Sequence, residues 1–235
     1  MDLKMSNKIG FTTNEILPLQ VKNVEKSLIE VKPYTYIKRT TDILVSSVAL
    51  VLLLPVFLII CAFIRVDSKG KAMFSQARIG EDGKLFKLYK FRTMVLNADE
   101  KLKELLAKDE AAREEYRINK KLKNDPRVTK AGAFLRKTSL DELPQLINVL
   151  KGEMSLIGPR PYLPREQEDM GRYYGTIIQS KPGITGLWQV SGRSNTTFNE
   201  RLEIDLEYNA KKSLKQDFII LVKTVSVIFK KEGAV

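Results

Sequence analysis

ILVSSVALVLLLPVFLIICAFI, residues 43–64, is an unbroken stretch without a single charged side chain. As a straight helix it measures about 33 Å at about 1.5 Å per residue. The hydrocarbon core of a bilayer is about 30 Å thick. The run is apolar on every face, which argues against the core helix of a soluble domain. Pro55 removes a backbone hydrogen bond in its interior and is expected to kink a helix there. Basic residues flank both ends: Lys38 and Arg39 before it, Arg65, Lys69 and Lys71 after it. A rule that prefers one basic side gives no orientation here. A hairpin that dips into the bilayer and returns keeps both basic ends at one set of headgroups. Carbonyls freed near Pro55 then need partners such as Ser46, Ser47 or water. A full span and a re-entrant hairpin both remain open on this physics. Either way, the chain reads as a membrane element joined to a compact domain.

The rest of the chain divides around that run. Residues 1–35 form a polar arm with Pro18 and Pro33, expected to be poorly ordered. Met1 to Gly10 is polar and basic and does not read as a signal peptide. Residues 36–72 hold the membrane element, and 73–235 are enough for one catalytic domain of ordinary size. Apolar residues are 43% of the chain, so a core can form, and the net charge of +12 favours anionic partners. There is no histidine, which removes histidine triads, histidine metal sites and histidine bases. Cys61 is the only cysteine, so no disulfide forms within the chain. Chemistry must come from carboxylates, Lys, Arg, hydroxyls or a hard cation bound by oxygen.

Downstream, Phe74 to Ile79 and Leu85 to Phe91 flank a Glu-Asp-Gly turn at 81–83 and predict a β-hairpin. Lys84, Lys87, Lys90 and Arg92 make its second arm basic. Asn97 to Ile118 carries apolar residues at helical spacing and predicts one amphipathic helix, suited to a core or to a bilayer surface. Val128 to Arg136 predicts a short helix after the Asp125-Pro126 turn. Glu200 to Lys231 predicts one or two further helices, the second strongly apolar.

SLDELPQLINVLKGEMSLIGPRP, residues 139–161, holds the chemistry. Asp141 and Glu142 are adjacent carboxylates beside Pro144. Glu142 stands three residues after Ser139, the spacing of a capping box, so a purely structural role is one reading. Asp141 near a helix start would be kept ionised by the dipole. Gly158 to Pro161 is a turn whose two prolines fix the backbone around Arg160. A guanidinium held this way suits bidentate contact with phosphate; a surface arginine on a structural turn is the plainer alternative. KPGITGLWQVSGR, residues 181–193, is a glycine-rich loop with the only tryptophan, Trp188. Its amides can cradle phosphate, with Gly186, Gln189 and Arg193 the candidate contacts.

These segments together closely resemble the bacterial sugar transferase family, the monotopic phosphoglycosyl transferases. The shared stretches include KRTTDI at 38–43, FSQARIG at 74–80, FKLYKFRTM at 86–94, residues 125–161, KPGITGLWQVSGR and SLKQDFIILVKT at 213–224. The resemblance implies a mostly helical α+β fold: a re-entrant membrane helix broken at Pro55, then a cytoplasmic domain with a small β-hairpin and interfacial amphipathic helices. Family members often place Ser before that proline; here it is Leu54. The implied reaction moves a sugar 1-phosphate from a UDP-sugar to a polyprenyl phosphate such as undecaprenyl phosphate and releases UMP, as the first membrane step of exopolysaccharide, capsule, O-antigen or glycoconjugate synthesis. Asp141 would take up the phosphosugar covalently, and Asp141 and Glu142 would hold Mg²⁺. Lys90, Arg92, Arg160 and Arg193 would contact phosphate, while Lys38 and Arg39 would meet headgroups. The implied location is the cytoplasmic face of the bacterial inner membrane. Nucleic acid is not an expected partner, because the basic residues are interleaved with carboxylates and lack aromatic platforms. A homo-oligomer is left open, as are the sugar and the polymer.

Overall fold

A computed structural model of the protein describes residues 13–120, 122–191 and 196–230. The chain divides into an N-terminal unit ending at Thr40 and a main unit beginning at Thr41. A single helix, α1 (Thr13–Asp67), supplies the described part of the first unit and opens the second. The arm expected over residues 1–35 is therefore helical from Thr13 onward. The chain passes through Pro55 without leaving the helix, and a hairpin is not seen.

Within the main unit α1 has two characters. Asp42, Ser46, Ile60 and Ile64 are buried, at spacings that put them on one face. Leu44, Val48, Val51, Leu52, Leu58 and Ile59 are exposed. The section Pro33–Asp67 is long and apolar enough to cross a membrane. Leaving so many aliphatic side chains in water would cost about 25 cal/mol for each Å², so the exposed band suits a lipid environment.

After α1 come β1 (Met73–Ile79) and β2 (Leu85–Phe91), the predicted antiparallel hairpin, with Ile79 opposite Leu85. Its turn puts Asp82 and Gly83 at positive φ, 56° and 74°, which glycine adopts at low cost. The predicted helix over 97–118 is two helices, α2 (Ala98–Lys108) and α3 (Glu110–Asn119). Asp109 breaks it. Its backbone is extended, and its side chain accepts from the Ala112 amide at 2.9 Å. Capping a new helix satisfies an otherwise orphaned donor. Next come α4 (Lys130–Thr138), capped by Thr129, and α5 (Gln145–Lys151), closed by Gly152 at φ 81°.

Two three-residue strands, β3 (Ser155–Ile157) and β4 (Gly183–Thr185), pair in parallel. Short helices α6 (Gln167–Met170) and α7 (Tyr174–Ile177) lie between them in the chain. Then follow α8 (Leu187–Ser191), α9 (Phe198–Lys211) and α10 (Leu214–Lys230).

Small clusters tie these elements together. Ile60 and Ile64 of α1 pack with Ala72, Phe91 and Leu135, joining α1 to β2 and α4. Phe86 and Leu88 meet Val149 and Met154. Ile157, Tyr208 and Ile220 join β3 to α9 and α10. The edge of β2 is covered by a side chain instead of a strand. Buried Asn148 accepts from the Tyr89 amide at 3.0 Å and donates to the Lys87 carbonyl at 2.7 Å. One amide thus takes the place of a strand partner and hides the edge.

Candidate active site

Asp141 sits where two helices fail to join. Ser139 ends α4 with its backbone in the left-handed region, φ 57°. Residues 140–142 make one tight turn, and Pro144 heads α5. The capping box expected between Ser139 and Glu142 does not form: the Ser139 side chain makes no cap bond. The Glu142 amide bonds instead to the Ser139 carbonyl at 3.3 Å, and its carboxylate turns to β2. There the Lys90 ammonium lies 2.6 Å from Glu142 Oε1 and 3.6 Å from Asp141 Oδ2. One cation therefore serves both carboxylates.

Burial pushes the Asp141 carboxyl above its ordinary range. Lys90 pulls it back, Glu142 raises it and Arg136 lowers it. Arg136 comes from α4, half-buried, with Nε donating to Thr93 Oγ1 at 3.1 Å. Burial lowers its own affinity for the proton, and Asp141 opposes that. The result is a buried carboxyl group that burial and Glu142 push up and that Lys90 and Arg136 pull down.

These groups line one cleft of about 510 Å³, together with Arg78, Arg160, Trp188 and Gln189. Arg160 stands on the Gly-Pro-Arg-Pro turn, where backbone groups are bonded on both sides. The Gly158 amide donates to Thr185 O at 2.9 Å, and the Gly183 amide to Pro159 O at 2.8 Å. Arg78 Nη1 donates to Pro161 O at 2.9 Å, and the Arg160 amide to Asp205 Oδ2 at 3.0 Å. A Cβ on Gly186 would lie 2.0 Å from Gly158 O, so the 181–193 loop reaches the turn only because that position is glycine. Two guanidinium groups pack on the Trp188 ring, with Arg160 Cζ 5.3 Å and Arg201 Cζ 5.2 Å from its centroid. Its Nε1 donates to Thr196 Oγ1 at 2.7 Å.

The cleft thus gathers Lys90, Asp141, Glu142, Arg160 and Gln189, with Gly186 packed behind them. Arg92 also borders it, but its guanidinium donates to Lys69 O at 2.6 Å and to Ser68 O at 2.7 Å, closing the end of α1. Lys38 and Arg39 lie on α1 before the apolar run, Lys38 over the Tyr34 ring at 5.8 Å. Arg193 lies outside the described residues. Arg78, Arg136, Arg201 and Asp205 were not picked out from the sequence. Arg78 and Arg136 stand inside motifs already quoted, FSQARIG and the segment before SLDEL, and their position there was the available signal. Arg201 and Asp205 look like ordinary charges on a helix.

A model of the bacterial sugar transferase family matches residues 33–231. The chain belongs to that family. It is 47% identical over 222 residues to an uncharacterized sugar transferase of Haemophilus influenzae, a match covering 94% of this chain and 46% of that protein. It is 44% identical to the undecaprenyl-phosphate galactose phosphotransferase of Salmonella typhimurium, with the same two coverages. The exopolysaccharide production protein ExoY of Rhizobium meliloti is 44% identical over 197 residues, 84% of this chain and 87% of ExoY. The chain spans about half the length of the first two. The SLDEL carboxylates and the GPRP arginine thus line a single cleft in this family member.

Proposed function

We propose that the chain transfers a sugar 1-phosphate from a UDP-sugar to undecaprenyl phosphate. The observation that carries this reading is the buried Asp141–Glu142 pair around Lys90, in one cleft with Arg136 and Arg160. The names of the Salmonella and Rhizobium relatives support the lipid acceptor and a role in exopolysaccharide synthesis.

In this reading an Asp141 oxygen attacks the phosphorus that carries the sugar. The Asp–O–P bond forms as the phosphoanhydride bond breaks, and UMP leaves with the bonding pair. An oxygen of the lipid phosphate then attacks the same phosphorus. The lipid diphosphate sugar forms and the Asp141 carboxylate is regenerated. Both steps bring anions together, so fixed cations around the cleft offset the repulsion. Lys90 and Arg136 oppose the rise that burial gives the Asp141 carboxyl, and Arg160 grips the diphosphate.

The two carboxylates are hard oxygen donors, and a cation held by one or two carboxylates plus substrate phosphates is the usual Mg²⁺ arrangement. Asp141 and Glu142 would hold Mg²⁺, which supplies further neutralisation of the diphosphate. The exposed apolar band of α1 is read as a re-entrant element, with the cleft at the cytoplasmic face of the inner membrane.

The test is direct. The full chain in detergent, given a UDP-sugar alone, should gain the mass of one phosphosugar in intact-protein mass spectrometry, and Asp141→Asn should not. An adduct of normal yield on Asp141→Asn assigns the nucleophile elsewhere, with Glu142 the first suspect.

A further inference from the structure

Asp205 is fully buried on α9. Its Oδ2 accepts two hydrogen bonds, from the Arg160 amide at 3.0 Å and from the Tyr162 hydroxyl at 2.7 Å. Its Oδ1 has no hydrogen-bond partner among the described residues. An ionisable group buried this way, with half its acceptor capacity unused, is a poor stabiliser of a fold. A carboxylate is nevertheless placed where it reaches into the turn that carries Arg160.

The turn is held from two elements. Arg78 of β1 fixes Pro161 O, and Asp205 of α9 fixes the amide of the arginine itself together with Tyr162. The Arg160 guanidinium, by contrast, makes no ion pair among the described residues and rests on the Trp188 ring. Its backbone is anchored and its charge is left for a ligand. Arg201 comes from the same helix as Asp205, one turn earlier, and its guanidinium also packs on the Trp188 ring, 5.2 Å from its centroid. Two residues of α9 therefore set both the base and the platform of Arg160.

We propose that Asp205 is a positioning residue that aims Arg160 at the substrate diphosphate. The proposal rests on the reading of Arg160 as a phosphate-binding residue. Asp205 touches no substrate and moves no proton. Its part is to supply one acceptor oxygen at a fixed place under the Arg160 amide. An amide oxygen at the same place can do that work, whereas an alanine cannot.

The experiment measures UMP release by the full chain in micelles with undecaprenyl phosphate, using whichever of UDP-glucose, UDP-galactose and UDP-N-acetylglucosamine is turned over fastest. Asp205→Ala should lower kcat/KM by about tenfold to a hundredfold, as expected when a gripping group is displaced by a fraction of an ångström. Asp205→Asn should stay within about threefold of wild type. In the double variant Asp205→Ala with Arg160→Ala, the loss should equal that of Arg160→Ala alone, since one acts through the other. Asp205→Asn as inactive as Asp205→Ala would assign Asp205 a proton-transfer or charge role and overturn the proposal. Normal kcat/KM in Asp205→Ala, or losses that multiply in the double variant, would overturn it too. Wild-type turnover in Arg160→Ala alone would instead refute the phosphate role of Arg160. If Asp205→Ala does not fold, Tyr162→Phe frees one of the two bonds at Oδ2. It should then give a smaller loss that vanishes in the Arg160→Ala background, and a loss that persists there refutes the proposal.

Discussion

Lys90 is the residue on which the electrostatics of the cleft turn, because its one ammonium is shared by two adjacent carboxylates. Removing it leaves Asp141 buried beside Glu142, with Arg136 as its remaining cation. Lys90→Met should therefore raise the Asp141 carboxyl further and move the acid limb of the UMP-release profile to higher pH. Turnover at neutral pH should fall about tenfold to a hundredfold, the equivalent of one charge-assisted bond of roughly 1.5–3 kcal/mol. An acid limb that stays in place would mean that Lys90 does not set the charge of Asp141. Asp205 makes a different prediction. Burial lifts its carboxyl from an ordinary 3.8 to about 6, against the hydrogen bonds from Tyr162 and Arg160 and the nearby Arg160 and Arg201 charges. The folded chain then holds this proton more tightly than the unfolded chain. Its contribution to stability is present below the unfolded value and is lost as pH rises through about 6. The displacement is worth about 3 kcal/mol as an order of magnitude. Melting temperatures of Asp205→Asn should be flatter than wild type between about pH 4 and 6; parallel curves would contradict it.

At the scale of elements, the approach of α4 to the end of β2 is what brings Arg136 and Asp141 to Lys90. That approach depends on Gly132, where a Cβ would lie 2.0 Å from the Thr93 carbonyl oxygen. Backbone cannot yield as a side-chain tip does, so Gly132→Ala should cost roughly 3 kcal/mol or more. It should also depress activity beyond what the remaining folded fraction explains. A thermal melt and a turnover measurement on the same sample check both. The hairpin and α4 were legible in the sequence, since each rests on local periodicity and turn chemistry; whether 200–231 makes one helix or two was left open, and the structure makes it α9 and α10. The break at Asp109 was not, because the charge pattern of 97–118 continues across it and only a side-chain cap divides it. The β3–β4 pair was hidden for another reason. Three-residue strands carry no periodicity, and their partners are far apart in the chain. For the site, Asp141, Glu142, Lys90 and Arg160 could be named because motifs carry them. The Ser139–Glu142 capping box was a sound pattern that the left-handed turn at Ser139 displaced. Asp205 gives no sign of its burial along the sequence, as that arises only when α9 packs under a turn more than forty residues earlier.

At the scale of the whole main unit, the helix bearing the apolar run is also part of the domain's wall. Ile60 and Ile64 enter the cluster with Phe91 and Leu135. Val51→Lys or Leu52→Lys, on the exposed band, should leave the domain folded but weaken membrane retention. Each should shift protein from the membrane pellet to the supernatant after cell fractionation, while near-ultraviolet circular dichroism stays unchanged. Retention equal to wild type would mean that this band does not meet lipid. The far end of the same face holds Asp42, whose Oδ1 accepts from the Leu156 amide at 2.9 Å, within β3 and two residues before the turn of Arg160. This makes the anchor a keyed part and not an interchangeable stem. A chimera that replaces residues 47–59 with an unrelated apolar helix of equal length, keeping Asp42, Ser46, Ile60 and Ile64, would keep its grip on lipid. One extra residue in the graft, however, would rotate Asp42 by about 100° relative to Ile60. The two attachment points could not then be met together, so a graft must match in phase as well as in length.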